Sequence, residues 1–293
     1  MAPPSLQVDF IGIGAPKCGT TWLFYALGQH PEICLSEPKE TRYFSREDTH
    51  ISDTKDNCND LNDLASYAKH YKHCSPTTLK GEFSPTYMYS EAAPSRIHRH
   101  FPSVKLLVCL RNPVDRAHSS YWDISRYERE RKSESFEDVI EHDPRCVLRG
   151  YYAKNLKRYL SHFSKSQIKI ILFENIVERP RQTINDVFAF LGLDPPIELD
   201  LDIIPKNSAK QSRFVPLAPM MDSVSSWLVE HGQATLLRKV RNWGVKRVLM
   251  NISTVESRRD PIAQQTRQRL QRLFRHDIDQ LESLFGLDLT SWK

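Results

Sequence analysis

Three of the chain's 10 glycines, Gly12, Gly14 and Gly19, fall within eight consecutive positions of its 293 residues. Such crowding in a glycine-poor chain marks backbone with a special task. Gly14-Ala-Pro-Lys-Cys-Gly19-Thr20-Thr21 has the two-glycine frame of a phosphate loop, in which backbone N–H groups and the following helix N-terminus cradle phosphate oxygens. An ordinary strand-to-helix turn is the plainer reading of the same frame. The cation is also displaced: Thr20, not lysine, follows the second glycine, and Lys17 sits inside the loop. A second cation, Arg111, ends the apolar run Leu106–Leu110, where arginine suits a second phosphate better than a divalent metal. Alone it would read equally well as an ion-pair partner, so the combination carries the case. Glu174, after a third apolar run, is a weaker metal candidate and suits a structural carboxylate.

The elements that must position these residues follow from hydrophobic periodicity. Val8–Gly14 reads as a buried strand and Thr20–Gln29 as a helix; Val104–Leu110 is a second strand, followed by a helix-compatible Pro113–Arg131. Ile168–Phe173 is a third strand, Pro180–Leu191 a helix stopped by Gly192, and a long helix runs from Asp260-Pro261 to about Phe285, stopped by Gly286. Strands alternating with helices predict an α/β, three-layer, P-loop-like fold with a central parallel sheet flanked by helices. One domain over residues 1–293 is the simplest organisation, with 46–80 a polar surface excursion holding one helix at Asn62–His73 and 215–293 mainly helical.

Composition agrees with a globular domain: 40% hydrophobic and 26% charged residues, with a net charge of +5 that suits a small anionic ligand or a polyanion. Apolar runs fall well short of the roughly 20 residues of a membrane span. The first residues carry no secretory signal, so a cytoplasmic address is expected. The six cysteines show no zinc spacing and read as free thiols, with a Cys58–Cys74 bridge geometrically conceivable.

Pro16-Lys17-Cys18-Gly19-Thr20-Thr21-Trp22 resembles the 5′-phosphosulfate loop of sulfotransferases that use 3′-phosphoadenosine 5′-phosphosulfate (PAPS), and Arg111-Asn-Pro-Val-Asp-Arg-Ala-His-Ser119 resembles their 3′-phosphate motif. Recognisable parts run over residues 7–193. The resemblance implies that Lys17 neutralises the leaving phosphate, that Thr20, Thr21 and the amides of Cys18 and Gly19 hold its oxygens, that Trp22 stacks near adenine, and that Arg111 and Ser119 read the 3′-phosphate. Lys206-Asn-Ser-Ala-Lys210-Gln-Ser-Arg213 is similar to a basic loop that covers the donor, with Lys210 and Arg213 as contacts; a solvated basic turn is the alternative.

Sulfuryl transfer to an alcohol needs a base near the donor. Ser36-Glu37-Pro-Lys39-Glu40-Thr-Arg-Tyr43-Phe44 is similar to the base segment of heparan-type and bacterial members, which implies Glu40 as base, Lys39 as its helper and Glu37 as competitor. Gly81-Glu82-Phe83-Ser84-Pro85-Thr86-Tyr87 resembles an acceptor-side stretch, with Glu82, Phe83 and Tyr87 as substrate-binding candidates and Glu82 a further possible base. Phe83 stands where heparan-type members have lysine, which favours a neutral or apolar acceptor. The expected protein is a bacterial-style enzyme acting on a hydroxyl, or an amine, of a carbohydrate, lipid or small molecule, without metal, nucleic acid or transmembrane segment. Its acceptor would be set by loops such as 46–80 and 123–150. The competing readings are a metal-dependent phosphotransferase and a non-catalytic module binding polyanions through the amphipathic basic stretch 236–247.

Overall fold

A computed structural model describes residues 6–45, 64–127, 134–201, 210–212, 254–256 and 260–293. The strands are β1 (Phe10–Gly14), β2 (Ile33–Leu35), β3 (Leu79–Phe83), β4 (Lys105–Leu110), β5 (Ile168–Leu172), β6 (Lys210–Ser212) and β7 (Thr254–Glu256). The helices are α1 (Thr20–Leu27), α2 (Ala65–Ala68), α3 (Ala93–His100), α4 (Pro113–Tyr127), α5 (Phe136–His142), α6 (Arg145–Leu148), α7 (Tyr152–Leu160), α8 (Phe173–Glu178), α9 (Pro180–Leu191) and α10 (Gln264–Phe285). The chain divides into two compact units, Met1–Ile124 with Ser133–Pro205 and Ile262–Lys293, and Ser125–Lys132 with Lys206–Pro261. Within the second unit, β6 and β7 form an antiparallel pair, Lys210 opposite Glu256.

The first unit is built on a five-stranded sheet in the order β2-β3-β1-β4-β5, with every neighbouring pair parallel. Parallel strands buried on both faces need apolar side chains at successive positions, and β1 and β4 supply them: Phe10, Ile11, Ile13 and Leu106–Leu110 are all fully buried. Gly12 and Gly81 are glycine for packing reasons. In the β1–β3 register Phe10 lies opposite Gly81 and Gly12 opposite Phe83, and a Cβ on either glycine would collide with an aromatic ring across the strand. The strands at 10–14, 105–110 and 168–172, and the helices at 180–191 and 264–285, fall where periodicity predicts them.

Two strands escape that reading. β2 is only three residues long, and β3, Leu-Lys-Gly-Glu-Phe, carries two charged residues. The excursion expected over 46–80 is also corrected in its described part. Tyr67 and Tyr71, on α2 and the 3-10 turn after it, are buried in the main core, and Cys74 is bonded to Cys34 of β2 with Cα atoms 5.7 Å apart. The conceivable Cys58–Cys74 bridge is therefore replaced, since Cys74 has Cys34 as its partner; Cys58 lies outside the described residues. Cys18, Cys109 and Cys146 are free and buried, as expected. Among the described residues no helix is long and apolar enough to cross a membrane. Of 215–293, the described part contains α10 and the short β7; the basic stretch 236–247 lies outside the described residues.

Candidate active site

Because the five strands are parallel, the segments leaving their carboxyl ends emerge along one edge of the sheet: 15–19 from β1, 36–42 from β2, 84–90 from β3, Arg111 from β4 and Phe173–Glu174 from β5. This edge is where open α/β sheets place their ligands. β1 is central, so the phosphate loop lies between the β3 and β4 exits.

On the β4 side, Gly19 takes φ 91° at the start of α1, a left-handed conformation that glycine tolerates, and no side chain caps the helix. The first amides of α1 thus remain for an anion, as a helix N-terminus allows. Thr20 is buried, Thr21 and Trp22 half-buried, and Trp22 leans on the core. Lys17 takes φ 70° and ion-pairs with Asp123 of α4, Nζ to Oδ1 at 2.9 Å. Both groups remain partly exposed. Arg111 lies over the Phe173 ring at 4.5 Å and its carbonyl accepts a 2.9 Å bond from the Tyr152 hydroxyl. Ser119 is buried on α4. Glu174 accepts from the Asn112 amide at 3.1 Å, consistent with a structural carboxylate.

Three residues on this side are not singled out by the sequence, although Arg116 lies inside the 111–119 motif. Tyr152 also lies 3.8 Å from the Cys18 sulfur, and burial pushes that thiol up to about 11, so it is no nucleophile near neutrality. Arg116, fully buried, donates to Ser120 at 3.1 Å and to the Cys146 carbonyl, joining α4 to α6. Asp123 is four residues beyond Ser119 on the same helix, a spacing that puts both on neighbouring turns.

On the β3 side, Glu40 is held between Lys39, 2.9 Å from Oε1, and Arg42, 3.3 Å from Oε2. All three are partly exposed, and Lys39 is near enough to β4 for its charge to act on Cys109. Arg42 takes φ 52°; among the described residues, the non-glycine residues with left-handed backbone are Lys17 and Arg42, one on each side of the site. Such residues cost energy and cluster at functional loops. Glu37 has an exposed side chain, and its backbone exchanges 3.0 Å bonds with His70, through His70 O and Nδ1.

The acceptor-side candidates are corrected by their burial. Glu82, Phe83 and Tyr87 are all 0% exposed. Phe83 packs edge-on against Phe10 and Phe24 beneath the sheet, so it presents no surface to an acceptor, and the inference about acceptor charge drawn from it loses its footing. Glu82 accepts from the Thr41 hydroxyl, and the hydroxyls of Tyr67, Tyr87 and Ser84 also face it. Burial raises its carboxyl to about 7 despite these donors. Lys210 belongs to β6 in the second unit, and Arg213 lies outside the described residues. The His73 imidazole joins Cys34 and Cys74 within 4.8 Å, but both sulfurs are consumed in the disulfide.

A parallel sheet that gathers an uncapped anion loop, a second cation and an ion-paired carboxylate along one edge defines an α/β protein of the phosphate-loop class. Residues 7–273 match the sulfotransferase domain family, and the chain belongs to it. It is 29% identical over 203 residues to human bifunctional heparan sulfate N-deacetylase/N-sulfotransferase 3, covering 64% of this chain and 22% of that protein. Carbohydrate sulfotransferase 15 of Rattus norvegicus is 27% identical over 263 residues, covering 70% and 47%. The chain thus spans less than half the length of these relatives. A solved sulfotransferase from Alicyclobacillus acidocaldarius matches with TM-score 0.68 and 26% identity over 98% of this chain and 99% of that one. The sulfotransferase domain from the curacin biosynthetic pathway, at TM-score 0.50 and 19% identity over 70% of this chain and 80% of that one, shares the fold.

Proposed function

We propose that the chain transfers a sulfuryl group from PAPS to a hydroxyl of a carbohydrate or small molecule, with Glu40 as general base. The observation that carries this reading is the placement of Lys17 and Arg111 at the exits of adjacent strands, β1 and β4. Two fixed cations there suit a nucleotide with separate 5′ and 3′ anionic groups. The uncapped α1 amides, Thr20 and Thr21 would hold the 5′-phosphosulfate oxygens, with Trp22 at the base and Arg111 and Ser119 at the 3′-phosphate. Lys17 would exchange Asp123 for the donor and neutralise charge as it develops on the leaving phosphate. Glu40 would take the hydroxyl proton as the acceptor oxygen attacks sulfur, with Lys39 steadying the transferring group. An amine acceptor needs the same base.

The acceptor class is supported by relatives named for heparan sulfate and carbohydrate and by the curacin-pathway domain. The cytoplasmic address expected from the sequence finds less support, because disulfides such as Cys34–Cys74 are rare in the cytosol and common in oxidising compartments.

The test is calorimetric titration, without metal, of 3′-phosphoadenosine 5′-phosphate against AMP and ATP. Binding that depends on the 3′-phosphate supports the assignment. Equal affinity for all three removes Arg111 and Ser119 from it, and binding of ATP only with Mg²⁺ returns the phosphotransferase reading.

A further inference from the structure

Glu82 is a fully buried carboxylate with one oxygen, Oε1, that no donor among the described residues reaches in hydrogen-bonding geometry. An orphaned buried oxygen is expensive, and a fold that keeps one in its central core calls for an explanation. Its other oxygen leads to the base segment. Oε2 accepts from Thr41, the residue directly after Glu40. The Thr41 oxygen also lies 3.1 Å from the Tyr87 hydroxyl and 3.3 Å from the Tyr43 amide that donates to it. Tyr87 in turn accepts from the Phe44 amide at 3.2 Å, and Ser84 accepts from the Arg42 amide at 3.0 Å. Apart from the Tyr43–Thr41 bond within the turn, these grips run from β3 and its exit to residues 41–44. None comes from the phosphate loop.

We propose that Glu82 is a positioning residue for sulfuryl transfer: through Thr41 it locks the turn that presents Glu40, and its ionised form holds that turn more firmly than its neutral form. The inference rests on Glu40 being the base. The chemistry is that of a charge-assisted hydrogen bond, in which an ionised acceptor binds the Thr41 hydroxyl more strongly than a neutral carboxyl does. The titratable groups facing Glu82 are the phenols of Tyr67 and Tyr71, from α2 and the turn after it, and of Tyr87, from the β3 exit; burial holds all three well above their usual range. Beyond them stand Asp9, whose charge acts on Tyr71, and the charged Glu40 and Arg42 that flank Thr41 in the chain. With the phenols neutral, Glu82 is the group of this cluster that changes charge near neutrality.

The experiment compares wild type, Glu82→Gln, Thr41→Val and Thr41→Ser in the full chain. Two readouts are used: inorganic sulfate released from PAPS with water as acceptor, from about pH 5.5 to about pH 9, and amide exchange protection of residues 39–45. Wild-type kcat is expected to rise about tenfold through pH 7, while Glu82→Gln, fixed in the neutral state, stays flat at the low-pH rate. Thr41→Val should behave as Glu82→Gln does, Thr41→Ser should restore the step, and the affinity for 3′-phosphoadenosine 5′-phosphate should stay within about threefold of wild type throughout. Exchange protection of 39–45 should follow the same pH step in wild type and lose it in Glu82→Gln.

The proposal is overturned if Glu82→Gln keeps the wild-type step, if Thr41→Ser is as impaired as Thr41→Val, or if nucleotide affinity falls in parallel with kcat. The exchange readout needs no turnover. A protection step without a rate step, together with an active Glu40→Gln, overturns the base assignment and leaves only the Glu82–Thr41 coupling. Loss of both steps in wild type overturns the coupling itself.

Discussion

On the β4 side of the central strand the charged groups reach solvent. Lys17 pairs with a partly exposed aspartate, and Arg111 lies on the face of Phe173 with its carbonyl held by the Tyr152 hydroxyl. On the β3 side the proposed base, Glu40, is equally accessible, but its turn is fastened from beneath by a fully buried carboxylate, hydroxyls and aromatic rings. The two sides suit the different tasks proposed for them. A donor must be attracted, bound and released, so its cations stay reachable and only modestly desolvated. A base must hold one orientation, where a displacement near 1 Å costs about a hundredfold in rate. The buried Glu82 carboxylate and the hydroxyls around it supply that rigidity from beneath the turn.

If this division is right, the largest effect comes from removing the base alone. Glu40→Gln should lower kcat by about a thousandfold, within the range of general-base contributions, while leaving affinity for 3′-phosphoadenosine 5′-phosphate unchanged. Calorimetry beside a sulfate-release assay checks both. Weakened nucleotide binding would move Glu40 to the donor side and erase the contrast; normal turnover would pass the role of base to Glu37, since Glu82 has no surface to meet an acceptor.

The next effect is on stability, and its sign is set by burial. The folded Glu82 carboxyl is raised from 4.5 to about 7, so between those values the folded chain keeps a proton that the unfolded chain has released. Stability is therefore present below pH 4.5 and lost as pH rises through about 7, by at most about 3 kcal/mol. Glu82→Gln carries no such penalty. Its melting temperature should exceed that of wild type at about pH 8 and the advantage should vanish near about pH 4.5; an advantage independent of pH would mean that Glu82 is neutral throughout. Greater stability combined with slower turnover is the trade expected of a strained functional site.

On the donor side, Arg111→Ala should weaken 3′-phosphoadenosine 5′-phosphate by about 2 kcal/mol, roughly 30-fold, and leave AMP unaffected. An equal loss for both nucleotides would give Arg111 a structural role through Phe173 instead.

The same contrast governs what could be read from the chain. The donor side is written in two short stretches, glycine spacing with a displaced lysine and an arginine closing an apolar strand, each legible locally, so Lys17, Gly19 and Arg111 stand out before any fold is known. Gly12 sits among them in the sequence, although its task is to admit the Phe83 ring from β3. The base side is assembled from residues 34, 41, 67, 74, 82 and 87, which meet only when β2 and β3 pair. A five-residue strand with Lys80 and Glu82 shows no apolar run, and two tyrosines in a polar stretch look like surface. Cys34 and Cys74 are 40 residues apart, and nothing in their spacing selects that pair. Glu82 and Phe83 were legible as neighbours of a motif, but their direction depends on register, which places Phe83 over Gly12.

The smallest effect tests whether the donor side is as adaptable as its exposure implies. Lys17 is held at 2.9 Å by Asp123, and the role proposed for it has donor binding part them. With side chains 26% and 40% exposed, such a pair contributes no more than about 1 kcal/mol, because solvent screens it and ordering two side chains costs entropy. Asp123→Asn should therefore tighten 3′-phosphoadenosine 5′-phosphate by up to about fivefold, with the gain shrinking as salt is added. Looser binding would reveal the opposite arrangement, in which Asp123 orders Lys17 for the donor rather than competing with it. The donor side would then rest on a preorganised network like its counterpart around Glu82, and the distinction between the two sides would reduce to burial alone.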